Sequence, residues 1–344
     1  SGFSFSLDVG STGCSARLTA PDDGARLLVV VNGEVQKYLK LEEGGASSKW
    51  YQLVDGLSPE MHYTVEVYKV TEDNTFGRKG KKGVLKLHGI RTTGSTMVAA
   101  STAAAGVGMR RPRRLEFIGD SDTAGWCADG HAFSGDAPNK VENSYETWAM
   151  QLSRLLNVSD VMVEAISGYG VTPHSGRIQD LYKSTLAFDA SSPQWNFTKW
   201  VPDAVVMLIG PNDEAKRRGG FGAMLQPSLG KYDGKSFVAA YLELCDEVAK
   251  SYAYAPNPPA LVHVCGGSIN GLDPCEDIQT ASDKFNKKAV TRMRSYYTTI
   301  TKAHWHEINK IGGGYLGCDS HYGPKGHAVL AADIAPQMRK ILGW

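Results

Sequence analysis

The chain has 344 residues, 42% of them apolar and 21% charged, with a net charge of +1 at neutral pH. That length favours two domains over one, and the composition supports a sizeable globular core. The charge balance argues against the large basic face of a nucleic-acid binder, and no run approaches the roughly 20 apolar residues of a bilayer-spanning helix.

Residues 1–95 read as β structure. Leu27 to Val31, then Asn32-Gly33, then Glu34 to Leu39 is a hairpin with a strong two-residue turn signal. Tyr63 to Val70 alternates β-branched and aromatic residues, and Val84 to Ile90 supplies a further strand. A small β-sandwich is expected. Residues 96–114 change character: small residues run from Ala99 to Gly108, and Arg110-Arg111-Pro112-Arg113-Arg114 follows. This reads as a solvated linker rather than a docking site for an acidic partner.

From Leu115 short apolar strands alternate with helices, so residues 115–344 are expected to form an α/β domain. The strands are Leu115 to Ile118, Val161 to Ala165, Ala204 to Ile209 and Leu261 to Val264. The helices are Tyr145 to Leu156 behind Asn143 or Ser144, Phe237 to Tyr252, roughly Ala281 to Ala303, and about Lys325 to Leu342. Such alternation gives a parallel sheet covered on both faces, with ligands at the carboxyl ends of its strands.

Three of these strands run into polar, glycine-bearing segments: Gly119-Asp120-Ser121, Ser167-Gly168-Tyr169-Gly170, and Gly210-Pro211-Asn212-Asp213. A serine hydroxyl, a glycine N–H and an asparagine amide on one sheet edge make a nucleophile with an oxyanion hole. Serine needs a base, and His321, just before the last helix, is the candidate. His327 falls inside that helix, where a surface or packing role is expected. Gly170 is the alternative to Gly168, and Pro211 fixes a turn. Asp122 either raises the pKa of a nearby histidine or caps the following helix, the cap being favoured. His263 and His304 to His306 have no partners at ligand spacing, so no metal is expected.

In their order, Gly119-Asp120-Ser121, Gly168, Gly210-Pro211-Asn212-Asp213 and Asp319-Ser320-His321 resemble the four blocks of the SGNH, or GDSL-type, hydrolases. The resemblance implies an SGNH-like parallel sheet flanked by helices, with Ser121 as nucleophile and His321 as base. It implies an oxyanion hole from the N–H groups of Ser121 and Gly168 and the Asn212 amide. With a β-sandwich carrying His62 to Glu72 ahead of these blocks, the chain looks more narrowly like carbohydrate esterase family two. Members of that group remove acetyl groups from plant polysaccharides such as xylan and glucomannan. The usual final block has Asp three residues before His, whereas Asp319 is two before His321. Members of the narrower group are similar in using this shorter spacing, and some of them hold the imidazole with a backbone carbonyl, so the resemblance implies either the Asp319 carboxylate or a backbone carbonyl as the orienting group.

The expected activity is that of an extracellular serine acetylesterase, a monomer acting on acetylated polysaccharide without metal or organic cofactor, nucleic acid or membrane. Trp126, Tyr169 and Tyr322 flank the blocks and either bind sugar, wall an acetyl pocket or pack in the core. The rivals are a lipid or small-ester hydrolase on the same scaffold and a carbohydrate-binding pseudoenzyme. Starting at Ser1 rather than Met leaves open a removed signal peptide or a trimmed start. Asn157 and Asn196 stand in glycosylation sequons. The six cysteines contain no C-x-x-C pair; Cys265 and Cys275 are the best disulfide candidates, buried free thiols being the alternative.

Overall fold

The computed structural model describes residues 2–22, 24–43, 47–72, 84–94, 97–98, 112–131, 140–189, 191–218, 233–268, 271–288, 292–301, 306 and 313–344. The chain divides into two compact units, Ser1–Arg111 and Pro112–Trp344.

The first unit holds β1 (Gly2–Leu7), β2 (Gly13–Thr19), β3 (Ala25–Val31), β4 (Glu34–Leu41), β5 (Lys49–Asp55), β6 (Tyr63–Lys69), β7 (Lys86–Thr93) and β8 (Met97–Val98). They form two antiparallel sheets, ordered β4-β3-β6-β1-β8 and β5-β2-β7. Alternate residues of both sheets, including Leu7, Leu27, Val29, Val65 and Val67 on one and Ala16, Leu18 and Leu53 on the other, share one buried core. This is a sandwich, as the alternation required. The Asn32-Gly33 turn takes positive φ at both residues, 50° and 82°, which suits the twist of a two-residue hairpin.

Two parts of the expected linker are ordered structure instead. Met97 and Val98 pair with Leu7 and Ser6 of β1. Arg113 donates to the Leu156 carbonyl at 2.5 Å and lies over the Trp344 ring, while Arg114 pairs with Asp160 at 3.2 Å. A guanidinium stacks and donates at once, so these arginines anchor the start of a strand rather than a solvated step. Residues 99–111 lie outside the described residues, as does His304.

The second unit is built on five parallel strands, β9 (Arg114–Gly119), β10 (Asp160–Ala165), β11 (Ala204–Leu208), β12 (Ala260–Cys265) and β13 (Ser295–Thr299), in the order β10-β9-β11-β12-β13. The helices are α1 (Ser121–Ala124), α2 (Trp148–Leu155), α3 (Pro211–Arg217), α4 (Gly234–Ser251), α5 (Cys275–Asn286) and α6 (Pro324–Leu342). Leu115, Phe117, Val206 and Leu208 pack with residues of α2 and α6 on one face. Ile118, Val205, Met207 and Leu261 pack with α4 and α5 on the other. The helix expected over 281–303 is corrected: α5 begins earlier, behind Pro274, and Ser295-Tyr296-Tyr297-Thr298-Thr299 forms the edge strand β13. Aromatic and β-branched residues favour the pleated sheet here over a continued helix. No helix among the described residues is long and apolar enough to cross a membrane.

Glu116 sits in β9 on the α4 face, fully buried, and accepts from the Tyr252 hydroxyl at 2.6 Å. Burial pushes its carboxyl up to about 7 from an ordinary 4.5, against the pull of the tyrosine contacts. The folded state therefore binds this proton more tightly than the unfolded chain. The associated stability is complete below about pH 4.5 and is lost as pH rises through 7. Glu116→Gln keeps the hydrogen bond without the titration. Denaturant unfolding at pH 4.5 and pH 8 should show wild type losing on the order of 3 kcal/mol relative to the variant across that interval.

Candidate active site

The strand order turns back between β9 and β11, and at such a switch point the loops leaving the strands diverge to open a crevice. β9 ends at Gly119, where a Cβ would fall 2.9 Å from the Leu208 carbonyl and against the Thr123 side chain, so only glycine fits. Asp120 then caps α1, its carboxylate accepting from the Asp122 N–H at 3.2 Å. The cap thus comes from Asp120 and not from Asp122, whose carboxylate instead accepts from the Tyr322 N–H at 3.4 Å. The geometry follows from position: Asp120 precedes the helix and Asp122 is already inside its first turn.

Ser121 opens α1 and is 9% exposed. Its Oγ lies 2.7 Å from His321 Nε2, and His321 Nδ1 lies 2.6 Å from the main-chain oxygen of Asp319. A carbonyl can only accept, so Nδ1 carries the proton and Nε2 presents its lone pair to the serine hydroxyl. Of the two candidate orienting groups, the imidazole is held by the carbonyl of Asp319. The carboxylate of that residue accepts from the Trp126 indole N–H at 3.1 Å. Asp319 and Ser320 both have positive φ, 49° and 57°, and this left-handed pair folds the carbonyl back onto the ring two residues on.

Asn212 stands at the start of α3, behind Gly210 (φ 129°) and Pro211. Its amide donates to the Tyr169 carbonyl at 2.9 Å and approaches Asp120 Oδ2 at 3.3 Å, so one side chain spans the loops after β9, β10 and β11. Gly168 lies in the loop after β10 with φ 81°, beside Tyr169. The next residue of the block, Asp213, is buried and accepts from the N–H groups of Val171 and Thr172, each at 3.0 Å, and from the hydroxyls of Thr172 and Ser175. Gly170 leaves room for this carboxylate, since a Cβ there would collide with it.

Two buried acids stand beside the pair. Burial pushes Asp122 up to about 7, and raises Asp120 well above the usual range, with the charge of Asp122 adding to the shift. His327 is buried in α6 and pushed down to about 3 by burial, so it stays neutral. Trp126 and Tyr169 are half-buried, Tyr169 edge-on to Phe188. Tyr322, expected among the sugar-binding aromatics, is 1% exposed and packs against His327. It belongs to the core under α6 and offers no platform to a ligand. His263 is likewise interior, contacting the hydroxyls of Tyr241 and Ser295.

Sequence reasoning missed two features that hold the site together. Asp213 gave no local signal beyond its place after Asn212. Cys127 and Cys318 form a disulfide alongside the expected Cys265–Cys275 pair, while Cys14 and Cys245 are buried free thiols. Cys127 is six residues after Ser121 and Cys318 three before His321, a flanking pattern that was there to be read.

A serine hydroxyl hydrogen-bonded to a neutral imidazole of fixed tautomer, with an amide beside it, is the working part of a serine hydrolase. The chain belongs to the GDSL-like Lipase/Acylhydrolase family, whose model matches residues 117–329, and so ranks with the serine esterases. It is 29% identical over 318 residues to the cellulase/esterase CelE of Acetivibrio thermocellus, covering 87% of this chain and 32% of that protein. It is 22% identical over 237 residues to an acetylxylan esterase / glucomannan deacetylase of Cellvibrio japonicus, covering 67% and 58%. The chain thus spans roughly a third to three-fifths of the length of these curated relatives. In fold it is similar to a family two carbohydrate esterase from Clostridium thermocellum in complex with cellohexaose, with TM-score 0.76 and 24% identity over 100% of this chain and 93% of that one.

Asp213→Ala would leave at least three buried donors without an acceptor. At about 1–3 kcal/mol for each buried unsatisfied group, thermal and denaturant unfolding should show a loss of at least about 3 kcal/mol, with esterase turnover falling as the Gly168 loop loosens.

Proposed function

We propose that this chain is a carbohydrate O-acetylesterase that removes acetyl groups from plant-type polysaccharides such as xylan and glucomannan. The carrying observation is the contact of 2.7 Å between Ser121 Oγ and His321 Nε2, with Nδ1 donating to a carbonyl. The names of the curated relatives, an esterase and an acetylxylan esterase / glucomannan deacetylase, support the choice of acyl group and substrate.

In this reading Ser121 Oγ attacks the acetyl carbonyl as its proton passes to His321 Nε2. The oxyanion is received by the N–H groups of Ser121 and Gly168 and by the Asn212 amide. Of the two Asn212 protons, the one held at 3.3 Å by Asp120 is the weaker tie and turns to the oxyanion, while the 2.9 Å bond to Tyr169 fixes the side chain. The imidazolium then gives its proton to the departing sugar oxygen. Water, activated by the same nitrogen, attacks the acetyl-Ser121 ester and releases acetate. An extracellular setting fits the two disulfides, which persist in oxidising compartments.

Acetate release from acetylated xylan and glucomannan should fall by at least about 10³-fold in Ser121→Ala and by about 10²–10³-fold in Asn212→Ala. Preference for long-chain over acetyl nitrophenyl esters, or wild-type-level acetate release by Ser121→Ala, would overturn the assignment.

A further inference from the structure

We infer that the Cys127–Cys318 disulfide is a positioning element of the Ser121–His321 pair, holding the loop of the base in the one conformation that keeps Nε2 on the serine. The inference rests on the esterase reading and adds to it a dependence on a covalent bond away from the reacting atoms.

The bridge joins positions 191 residues apart. One end lies on the segment leaving the nucleophile's helix, the other on the short loop that carries the base. Cys318 directly precedes Asp319, whose carbonyl sets the tautomer of His321. A displacement of Cys318 therefore moves that carbonyl with almost no intervening chain to absorb it. The backbone around the bridge is in conformations that non-glycine residues take only when tertiary structure imposes them: φ is 60° at Cys127, 49° at Asp319 and 57° at Ser320.

The surroundings are shaped to the bridge. A Cβ on Gly130 would stand 2.6 Å from Cys318 Sγ, and one on Gly317 would strike the Cys127 carbonyl. Within the loop of the base, the Gly317 N–H donates to the His321 carbonyl at 2.8 Å and the His321 N–H to the Cys318 carbonyl at 3.0 Å, so the loop moves as a unit with Cys318. The bonds that tie this unit to the nucleophile's segment are weaker: the Cys318 N–H reaches the Cys127 carbonyl at 3.3 Å, the Tyr322 N–H reaches Asp122 at 3.4 Å, and the Trp126–Asp319 bond is exposed. Both half-cystines are buried, which shelters the bond from solvent reductants. The Cys265–Cys275 bridge spans only ten residues and lies between the end of β12 and the start of α5, which makes it an internal control.

The test compares a Cys127→Ala/Cys318→Ala variant with a Cys265→Ala/Cys275→Ala variant. It measures kcat and KM on an acetyl ester, the near-ultraviolet circular dichroism, and the low-field proton resonance of His321 Nδ1–H. The first variant is expected to stay folded, to lose at least tenfold in kcat with KM within about twofold, and to lose or broaden the resonance. The second should keep the resonance and lose less in kcat than the first, because its bridge joins neither the nucleophile's segment nor the loop of the base. Unchanged kcat and resonance in a folded Cys127→Ala/Cys318→Ala variant overturns the inference. If that variant does not fold, wild type is reduced stepwise with dithiothreitol, each bridge taking two electrons and two protons and leaving two thiols and the cyclic oxidised reagent. Mass spectrometry reports which bridge has opened. Loss of kcat that follows the Cys127 thiol supports the inference, and loss that follows only Cys265 or neither bridge overturns it. Wild-type protein without Ser121-dependent turnover sinks the esterase reading instead, and the resonance still reports on the bridge.

Discussion

An imidazole is a base only at the nitrogen that lacks a proton, so the hydrogen bond at Nδ1 decides whether His321 can act on Ser121 at all. A main-chain carbonyl makes that choice here. It accepts and never donates, which fixes the tautomer as firmly as a carboxylate does, without burying a formal charge beside the ring. The consequence is a loop of unusual backbone: two successive left-handed residues bring the Asp319 carbonyl under a ring only two positions on. The Asp319 carboxylate is left free to hold the Trp126 indole instead. The same residue thus faces both partners, its main chain orienting the base and its side chain fixing the segment behind the nucleophile.

The sheet supplies the other half of the arrangement. With β9 at the switch point between β10 and β11, the residues after three adjacent strands emerge side by side. Asn212 converts that proximity into fixed geometry by bonding to the Tyr169 carbonyl and approaching Asp120. Asp213 does for the loop after β10 what Asp120 does for α1, gathering N–H and hydroxyl donors that would otherwise be buried without partners. Asp120 holds the Asp122 N–H and the Asn212 amide, and Asp213 holds two N–H groups and two hydroxyls. Their effect on catalysis passes through the loops they stiffen.

Much of this was legible because its signals are local. The hairpin at Asn32-Gly33, the four central strands and the glycine-bearing segments after three of them each carry their own turn or periodicity cue. What was not legible depends on partners distant in sequence. Ser295 to Thr299 falls within a helical pattern, and its strand character is realised only against β12. For Tyr322, no residue near it in sequence signals that α6 and His327 enclose it, so ligand contact and core packing look alike until the fold is known. β1, β2 and β5 gave no separate reading, being defined by pairing across the sandwich. The choice between carboxylate and carbonyl at Asp319 turned on two φ angles, which residue type does not dictate outside glycine.

The acids around the pair fit a base that must remain neutral at rest. Asp120 and Asp122 are both pushed above the usual carboxylate range, by burial first, then by the charge of Asp122 on Asp120 and by the charge of Asp273, in the loop after β12, on both. An ionised carboxylate at this depth favours imidazolium over the lone pair that Ser121 needs, and raising Asp120 and Asp122 by burial weakens that field. The positive charge of a protonated His321 in turn draws the Asp120 carboxyl down, so a proton arriving at Nε2 makes ionisation of its neighbour easier.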